Sequence, residues 1–210
     1  MAQRHKMKLP RPYLSYSQFY LYQNDPMEYY QQYYVCRVDE PTPKMLFGKI
    51  FQEAWCDKKY DYAKELKAAG FTANYERVIR EALSHKSTVF LPKSMTEYRM
   101  LVKHPRLNYP VLSIFDGFRP SARLIVENKM GVVWTQERVD TDKQLTWYLL
   151  SCKLKLGFVP KMLLQSFNSN NGIPTQYWVK RYQFDFDKLI QDINTMVERL
   201  EAGDFERRYD

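Results

Sequence analysis

The stretch Ile114-Phe-Asp116-Gly-Phe-Arg-Pro-Ser-Ala-Arg-Leu-Ile-Val-Glu127-Asn-Lys129-Met-Gly131 carries most of the information in this chain. Two largely apolar runs, Val111 to Phe118 and Ala122 to Lys129, flank the turn residues Pro120 and Ser121. That pattern reads as two antiparallel strands. Side chains two apart on a strand share a face, so Glu127 and Lys129 point one way and Asn128 the other. A short connection brings Asp116 alongside them. Such a grouping suits phosphodiester hydrolysis. Two carboxylates can hold a hard divalent cation with several waters retained. A lysine near the attacked phosphorus can orient a water and offset developing negative charge. The backbone carbonyl of Asn128 is a candidate further ligand. Charged residues are also common at strand ends, where Glu-x-Lys can be a plain ion pair, so the surrounding pattern has to decide.

Working outward, Glu97 to Lys103 reads as a first strand, separated from the second by the turn residues Pro105, Asn108 and Pro110. The three strands form an antiparallel meander. Thr141 opens a helix to about Leu156, stopped by Gly157. Gln144 and Tyr148 sit four apart on it and share a face. Lys161 to Phe167 and Gln176 to Phe184 read as two more strands around the polar turn Asn168 to Gly172. Asp185 or Asp187 caps a last amphipathic helix to about Glu201.

Upstream, Ser15-Tyr-Ser-Gln18 has the form of a capping box, and Asp25-Pro26 restarts a helix. Val38 to Lys44 is a loop. Leu46 to about Ala69 reads as one long helix ended at Gly70, and Thr72 caps another to about His85. Residues 1–12 form a flexible basic arm containing Arg4, Lys6, Lys8 and Arg11, and residues 13–210 form a single domain. Helices, three strands, helix, two strands and helix make one α/β unit.

Composition bounds the function. The 210 residues are 45% hydrophobic and 27% charged, which is globular. The net charge of +8 favours a polyanionic partner, nucleic acid or an acidic membrane surface, without choosing between them. Cys36, Cys56 and Cys152 are scattered, which fits neither a zinc site nor a disulfide framework. The basic start has no apolar segment after it, and no run approaches a membrane span, so a cytoplasmic protein is expected. No glycine-rich phosphate loop is present, which argues against an ATP-driven activity.

Several motifs in order resemble the RecB-like nucleases of the PD-(D/E)XK superfamily. Leu14 to Val35, LSYSQFYLYQNDPMEYYQQYYV, resembles the family's N-terminal segment. Phe47 to Trp55, FGKIFQEAW, resembles its Gly-x-x-x-His helix. Asp116-Gly, Glu127-Asn-Lys129 and Gln144-Leu-Thr-Trp-Tyr148 resemble its acidic motifs and its Gln-x-x-x-Tyr motif, and EAGDFERR its last helix.

The resemblance implies an α/β restriction-endonuclease-like core, a mixed β-sheet flanked by helices. It implies that Asp116 and Glu127 bind Mg2+ or Mn2+, that Lys129 is catalytic, and that Gln144 and Tyr148 position the lysine or the DNA strand. Tyr148 can alternatively serve only to pack on the sheet. The implied activity is a metal-dependent DNA nuclease. It is expected to be an exonuclease acting on single strands or ends, in recombination, repair or phage DNA processing, the last placing it in a host cytoplasm. The alternative is a weak or inactive nucleic-acid-binding protein on the same fold.

Two departures stand out. Gln52 occupies the place of the family's metal-ligating His; its carbonyl can still ligate a hard cation, more weakly than imidazole. Glu53 points elsewhere on the helix. The four cysteines that hold an iron–sulfur cluster in some relatives are lacking, so no cluster is expected. Arg119 beside the Asp116 turn, and Lys153, Lys155, Lys161, Lys180 and Arg181 beyond it, are candidates for DNA phosphates or an ordinary solvated basic face. The N-terminal tyrosines read as packing residues that could also stack on bases. His5, His85 and His104 fall in no motif. No protein partner or oligomeric state is legible.

Overall fold

The computed structural model describes residues 7–206. After a two-residue strand, β1 (Leu14–Ser15), the Ser15 side chain accepts the Gln18 amide and starts α1 (Tyr16–Asn24). Asp25 accepts from the Glu28 amide at 2.9 Å, with Pro26 at the first turn of α2 (Pro26–Tyr33). Thr42 caps α3 (Pro43–Cys56) in the same way.

The single helix expected from Leu46 to Ala69 is instead two. Asp57 is extended and its carboxylate takes the Lys59 amide at 2.9 Å, while Asp61 takes that of Lys64 and opens α4 (Tyr62–Ala68). Short acidic side chains here compete for backbone N–H groups and win against helix continuation. Then α5 (Ala73–Ser84) follows Thr72 as expected.

The meander is present as β2 (Thr96–Val102), β3 (Val111–Arg119) and β4 (Leu124–Gly131). A 3-10 turn at Pro120–Ala122 delays β4 by two residues relative to the expected start at Ala122. Next comes α6 (Gln136–Thr141), a short helix the sequence reading did not foresee, capped by Thr135. Thr141 therefore closes α6, and Asp142 caps α7 (Lys143–Leu156), which ends at left-handed Gly157. The last elements are β5 (Lys161–Asn168), β6 (Pro174–Trp178) and α8 (Gln183–Glu201). The strand expected to reach Phe184 stops at Trp178. Tyr182 is the N-cap residue of α8; Asp185 lies inside the helix and accepts the Tyr182 amide, and Asp187 pairs with Arg106 instead.

The six strands form one mixed sheet. β2 runs antiparallel along the full pairing edge of β3. The opposite edge of β3 is shared: β1 pairs in parallel at Val111 and Leu112, and β4 pairs antiparallel only at Gly117, Phe118 and Arg119. β4 then runs parallel to β5 over eight residues, and β6 closes the order antiparallel to β5. Successive β4 residues go to opposite layers: Ile125 joins the core under α1, α7 and α8, and Val126 packs with Trp55 of α3 and Leu91. Helices thus cover both faces. α3, α4 and α5 share a second core that reaches the sheet at Phe167, whose ring is 4.9 Å from that of Phe51.

The arm expected over residues 1–12 is packed from Met7 onward. The Met7 amide bonds the Glu201 carbonyl, Leu9 is buried, and the Arg11 guanidinium lies over the Tyr33 ring; Arg4 and Lys6 lie outside the described residues. No helix among the described residues is long and apolar enough to cross a membrane.

The expected turn between β5 and β6 is what seats α5. Gly172 has φ +73, and a Cβ there would lie 2.3 Å from the Val78 carbonyl and 2.8 Å from the Ala82 amide, both backbone atoms of α5. Gly172→Ala should cost about 3 kcal/mol by combined strain and overpacking, a drop of roughly 10 °C in a domain of this size. Thermal unfolding by circular dichroism checks it; an unchanged midpoint contradicts the packing described.

Candidate active site

The site lies at a fork in the sheet. β4 leaves β3 after the Gly117–Val126 pair, so Asp116 and Glu127, the next residues toward the fork, are no longer a ladder pair. The Asp116 side chain takes over from the ladder, its Oδ2 accepting the Asn128 amide at 2.8 Å. Gly117 is needed beside it for space: a Cβ would lie 2.6 Å from Leu91 Cδ1 and 3.1 Å from Trp55. The Asp-Gly pair therefore sets a carboxylate at the fork and brings α3 close to the strand.

Glu127 and Lys129 share a face, as period-two geometry requires. Lys129 Nζ donates to Glu127 Oε1 at 2.7 Å and to Gln144 Oε1 at 2.9 Å. Gln144 Nε2 in turn donates to Tyr148 Oη at 2.8 Å. The i, i+4 pair on α7 thus holds the lysine by an amide that accepts on one side and donates on the other. Tyr148 also packs on the sheet, its ring 5.0 Å from that of Phe115.

These five residues line a cleft of about 600 Å³ with Gln52, Asn128, Lys44, Met45, Gly48, Phe51 and Met130. Gln52 faces the cleft and Glu53 is not among its lining residues. Gln52 Nε2 donates to Cys56 Sγ at 3.3 Å, which engages the amide nitrogen and leaves the carbonyl oxygen available. The Asn128 side chain is on the far face, where Gln165 Nε2 donates to its Oδ1 at 2.9 Å.

Burial, then the Asp116 charge, push the Glu127 carboxyl up to about 8, against the pull of Lys129. Burial raises Asp116 as well, with Lys129 opposing. For Lys129 burial disfavours the ammonium, but Glu127 and Asp116 outweigh it and hold it above the ordinary lysine value. Burial and the same two carboxylates keep the Tyr148 phenol protonated.

When both acids are ionised, they outnumber the one lysine and leave an excess of negative charge. Glu127 is 1% exposed, and its Oε2 is buried with no hydrogen-bond partner. Both facts suit a divalent cation. The donors are oxygens from Asp116, Glu127 and Gln52, with the Asn128 backbone carbonyl as a further candidate, a hard set for Mg2+ or Mn2+. Among the described residues no three His, Cys, Asp or Glu side chains converge on one point, so such an ion would keep several waters.

The other candidates are placed differently. Arg119 is exposed at the end of β3, outside the cleft lining. Lys153 bonds Gln183 and lies over the Phe186 ring, on the side of α7 that faces α8. Lys155, Lys161 and Lys180 are exposed outside the cleft lining. Arg181 is no groove residue: it donates to Thr146 Oγ1 and to the carbonyls of Val139, Asp142 and Lys180, clamping α6 to α7. Tyr29, Tyr33 and Tyr34 pack on one another and, through Tyr34, on Phe205. His85 bonds Ser87 and His104 accepts the Arg106 amide, both away from the cleft, and His5 lies outside the described residues.

Sequence reasoning missed Gln165. It is fully buried in β5, takes the Val89 amide at 2.7 Å and returns a bond to the Val89 carbonyl, tying the segment after α5 to Asn128. A lone amide in the apolar run Met162-Leu-Leu-Gln-Ser-Phe was the signal.

No family model matches the chain, and no curated protein matches it. Among solved structures, the crystal structure of a protein from Eubacterium rectale, carried under the name "Putative exonuclease", aligns with TM-score 0.63. The match covers 93% of this chain and 83% of that one at 11% identity. At that identity the likeness is one of fold alone, an α/β core with a mixed sheet. SSO0001 aligns over 90% of this chain and 88% of that one at 14% identity, but its TM-score of 0.33 carries no argument.

A carboxyl raised in the fold stabilises the fold while protonated. That contribution is complete below its unfolded value of 4.5 and is lost as pH rises through about 8. In chelator, the melting temperature should therefore fall between about pH 5 and about pH 8, and Glu127→Gln should flatten the fall. Calorimetry across that range checks this; equal slopes for the two proteins contradict it.

Proposed function

We propose that this chain is a metal-dependent DNA nuclease, a RecB-like member of the PD-(D/E)XK superfamily, acting with Mg2+ or Mn2+. The observation that carries the reading is the convergence of Asp116, Glu127, Lys129, Gln144 and Tyr148 in one cleft at the sheet fork. The motifs come in the family's order, and the solved structure of similar fold bears an exonuclease name. From these we infer exonuclease action on single strands or ends, in recombination, repair or phage DNA processing.

The residues have distinct tasks. Asp116 and Glu127 hold the cation, with the Gln52 carbonyl and the Asn128 backbone oxygen as further donors. The cation, when bound, polarises the scissile phosphate and acidifies water. Lys129, kept charged by both carboxylates, orients the attacking water and offsets the negative charge that grows on the phosphate. Gln144 fixes the ammonium by accepting a hydrogen bond from it, and Tyr148 fixes Gln144 by accepting one in turn. Lys44, an exposed residue of the cleft lining, would meet the substrate backbone.

A second reading, a catalytically weak nucleic-acid-binding protein, draws on Gln52, an amide where the family has imidazole. End-labelled linear and circular DNA, single- and double-stranded, with RNA alongside, separates the readings. With Mg2+ or Mn2+ the wild type should cleave DNA, and Lys129→Ala should be roughly 100- to 1,000-fold slower. Circular substrate distinguishes internal cleavage from action at ends. Binding without cleavage under either metal favours the second reading, and cleavage unaffected by Lys129→Ala refutes the assigned centre.

Gln52→His tests the departure from the family directly. Imidazole favours softer divalent metals over Mg2+, so the variant should gain activity with Mn2+ relative to Mg2+, measured as a ratio of rates. An unchanged ratio would remove Gln52 from the donor set.

A further inference from the structure

Glu97 stands opposite the Asp116 carboxylate with a backbone that the strand around it does not explain. The β2–β3 register pairs Thr96 with Gly117 and Tyr98 with Phe115, which sets Glu97 across from Asp116. Yet these two do not form a ladder pair, because Glu97 adopts a left-handed φ of 48° within β2. Such a backbone is unfavourable for glutamate relative to ordinary strand conformation. Like charges placed opposite each other add a further cost. The Glu97 charge reaches the site, as it contributes to raising Asp116. Glu97 itself is exposed. On the other side of Asp116, Glu127 Oε2 is unpartnered on a residue 1% exposed, and shares the need for a cation.

We infer that Glu97, across β2–β3 from Asp116 and outside the cleft lining, is a third carboxylate acting on the site, a positioning residue that would strengthen the hold of Asp116 and Glu127 on a divalent cation without ligating it directly. The inference rests on the metal-dependent reading above. Asp116, Glu127, Lys129 and Glu97 sum to two negative charges, which one divalent cation neutralises. Because no three carboxylates among the described residues converge on one point, Glu97 acts from outside the direct ligands. It contributes mainly to affinity. The like-charged pair of Glu97 and Asp116 is tolerated because the ion offsets their repulsion.

The test is Mn2+ binding to the full chain, read by the electron paramagnetic resonance of free Mn2+, with thermal unfolding in chelator alongside. Glu97→Gln removes the charge and keeps the size. Glu97→Gly removes the charge and relieves the backbone. Asp116→Asn reports on the site itself. The wild type should bind Mn2+, Asp116→Asn should lose it, and both Glu97 variants should bind roughly tenfold more weakly. Glu97→Gly should melt no lower than wild type in chelator, which separates the affinity loss from misfolding. Mn2+ affinity unchanged in both Glu97 variants while Asp116→Asn loses it overturns the inference and leaves the metal site standing. A loss confined to Glu97→Gly overturns it too, by assigning the effect to backbone. If the wild type itself binds no Mn2+, the metal-dependent reading fails and the inference falls with it.

Discussion

The buried Glu127 carboxylate is the constraint around which the rest is arranged. Burying a charge is costly unless it is paired and hydrogen-bonded, and here only half of that is supplied. Oε1 is met by Lys129, and Oε2 is met by nothing. The lysine is itself short of water and needs acceptors, which explains why Gln144 presents its carbonyl and not its amide. Gln144 is oriented in turn by Tyr148, and Tyr148 by its ring contact with Phe115. A chain of single contacts thus runs from the carboxylate to the hydrophobic core, and each link fixes the rotamer of the one before.

The sheet supplies the opening that this arrangement needs. Had β3 and β4 stayed paired, Asp116 and Glu127 would sit in a continuous ladder with no room for a ligand between strands. Splaying them leaves backbone groups without partners, and a buried N–H cannot be left unpaired cheaply. Asp116 resolves this by accepting the Asn128 amide, so the residue that opens the fork also seals its edge. On the far face Gln165 does the corresponding work for the Asn128 side chain. On that same face Gly117 lets Trp55 and Leu91 close against the strand and sets the distance of α3, and so of Gln52, from the carboxylates. The parallel β4–β5 pair, buried on both faces, gives the rigid base from which Glu127 and Lys129 project.

Much of this was legible in the sequence because it depends on period and order. Glu127 and Lys129 share a face by strand geometry, Gln144 and Tyr148 by helix geometry, and the turn at Pro120 sets the meander. What was not legible depends on competition between local bonds. The run from Leu46 to Ala69 has helical composition throughout, and only the side chains of Asp57 and Asp61 taking nearby amides break it. Thr141 looked like a cap because Thr caps helices, but Asp142 next to it does so and Thr141 turns back onto the Glu137 carbonyl. Long-range pairing was equally hidden. Nothing local in Leu14-Ser15 announces a strand, and its partner lies nearly a hundred positions away. Arg181 reads as a phosphate contact in a basic run, and only its four bonds to α6, α7 and its own neighbour reveal a clamp.

The electrostatics of the cleft connect stability to ligand binding through one quantity, the unneutralised negative charge. Protonating Glu127 removes that charge and favours the empty fold; a divalent cation removes it and favours the loaded one. The two compete for the same oxygens, so the groups that burden the apo protein are those that would bind the ion. An apolar replacement at Glu127 would make a more comfortable core, since substituting a buried charge by a well-packed apolar group is commonly neutral or stabilising. Retaining a carboxylate with an unmet oxygen, next to another carboxylate, is therefore a choice that folding alone does not explain. The same argument separates this site from Arg181. That guanidinium, half-buried as well, has its donors met by carbonyls and a hydroxyl within the fold, leaving no call for an external partner. Of these two charged clusters, the one around Arg181 closes on itself and holds helices together, and the one around Glu127 keeps an acceptor unmet.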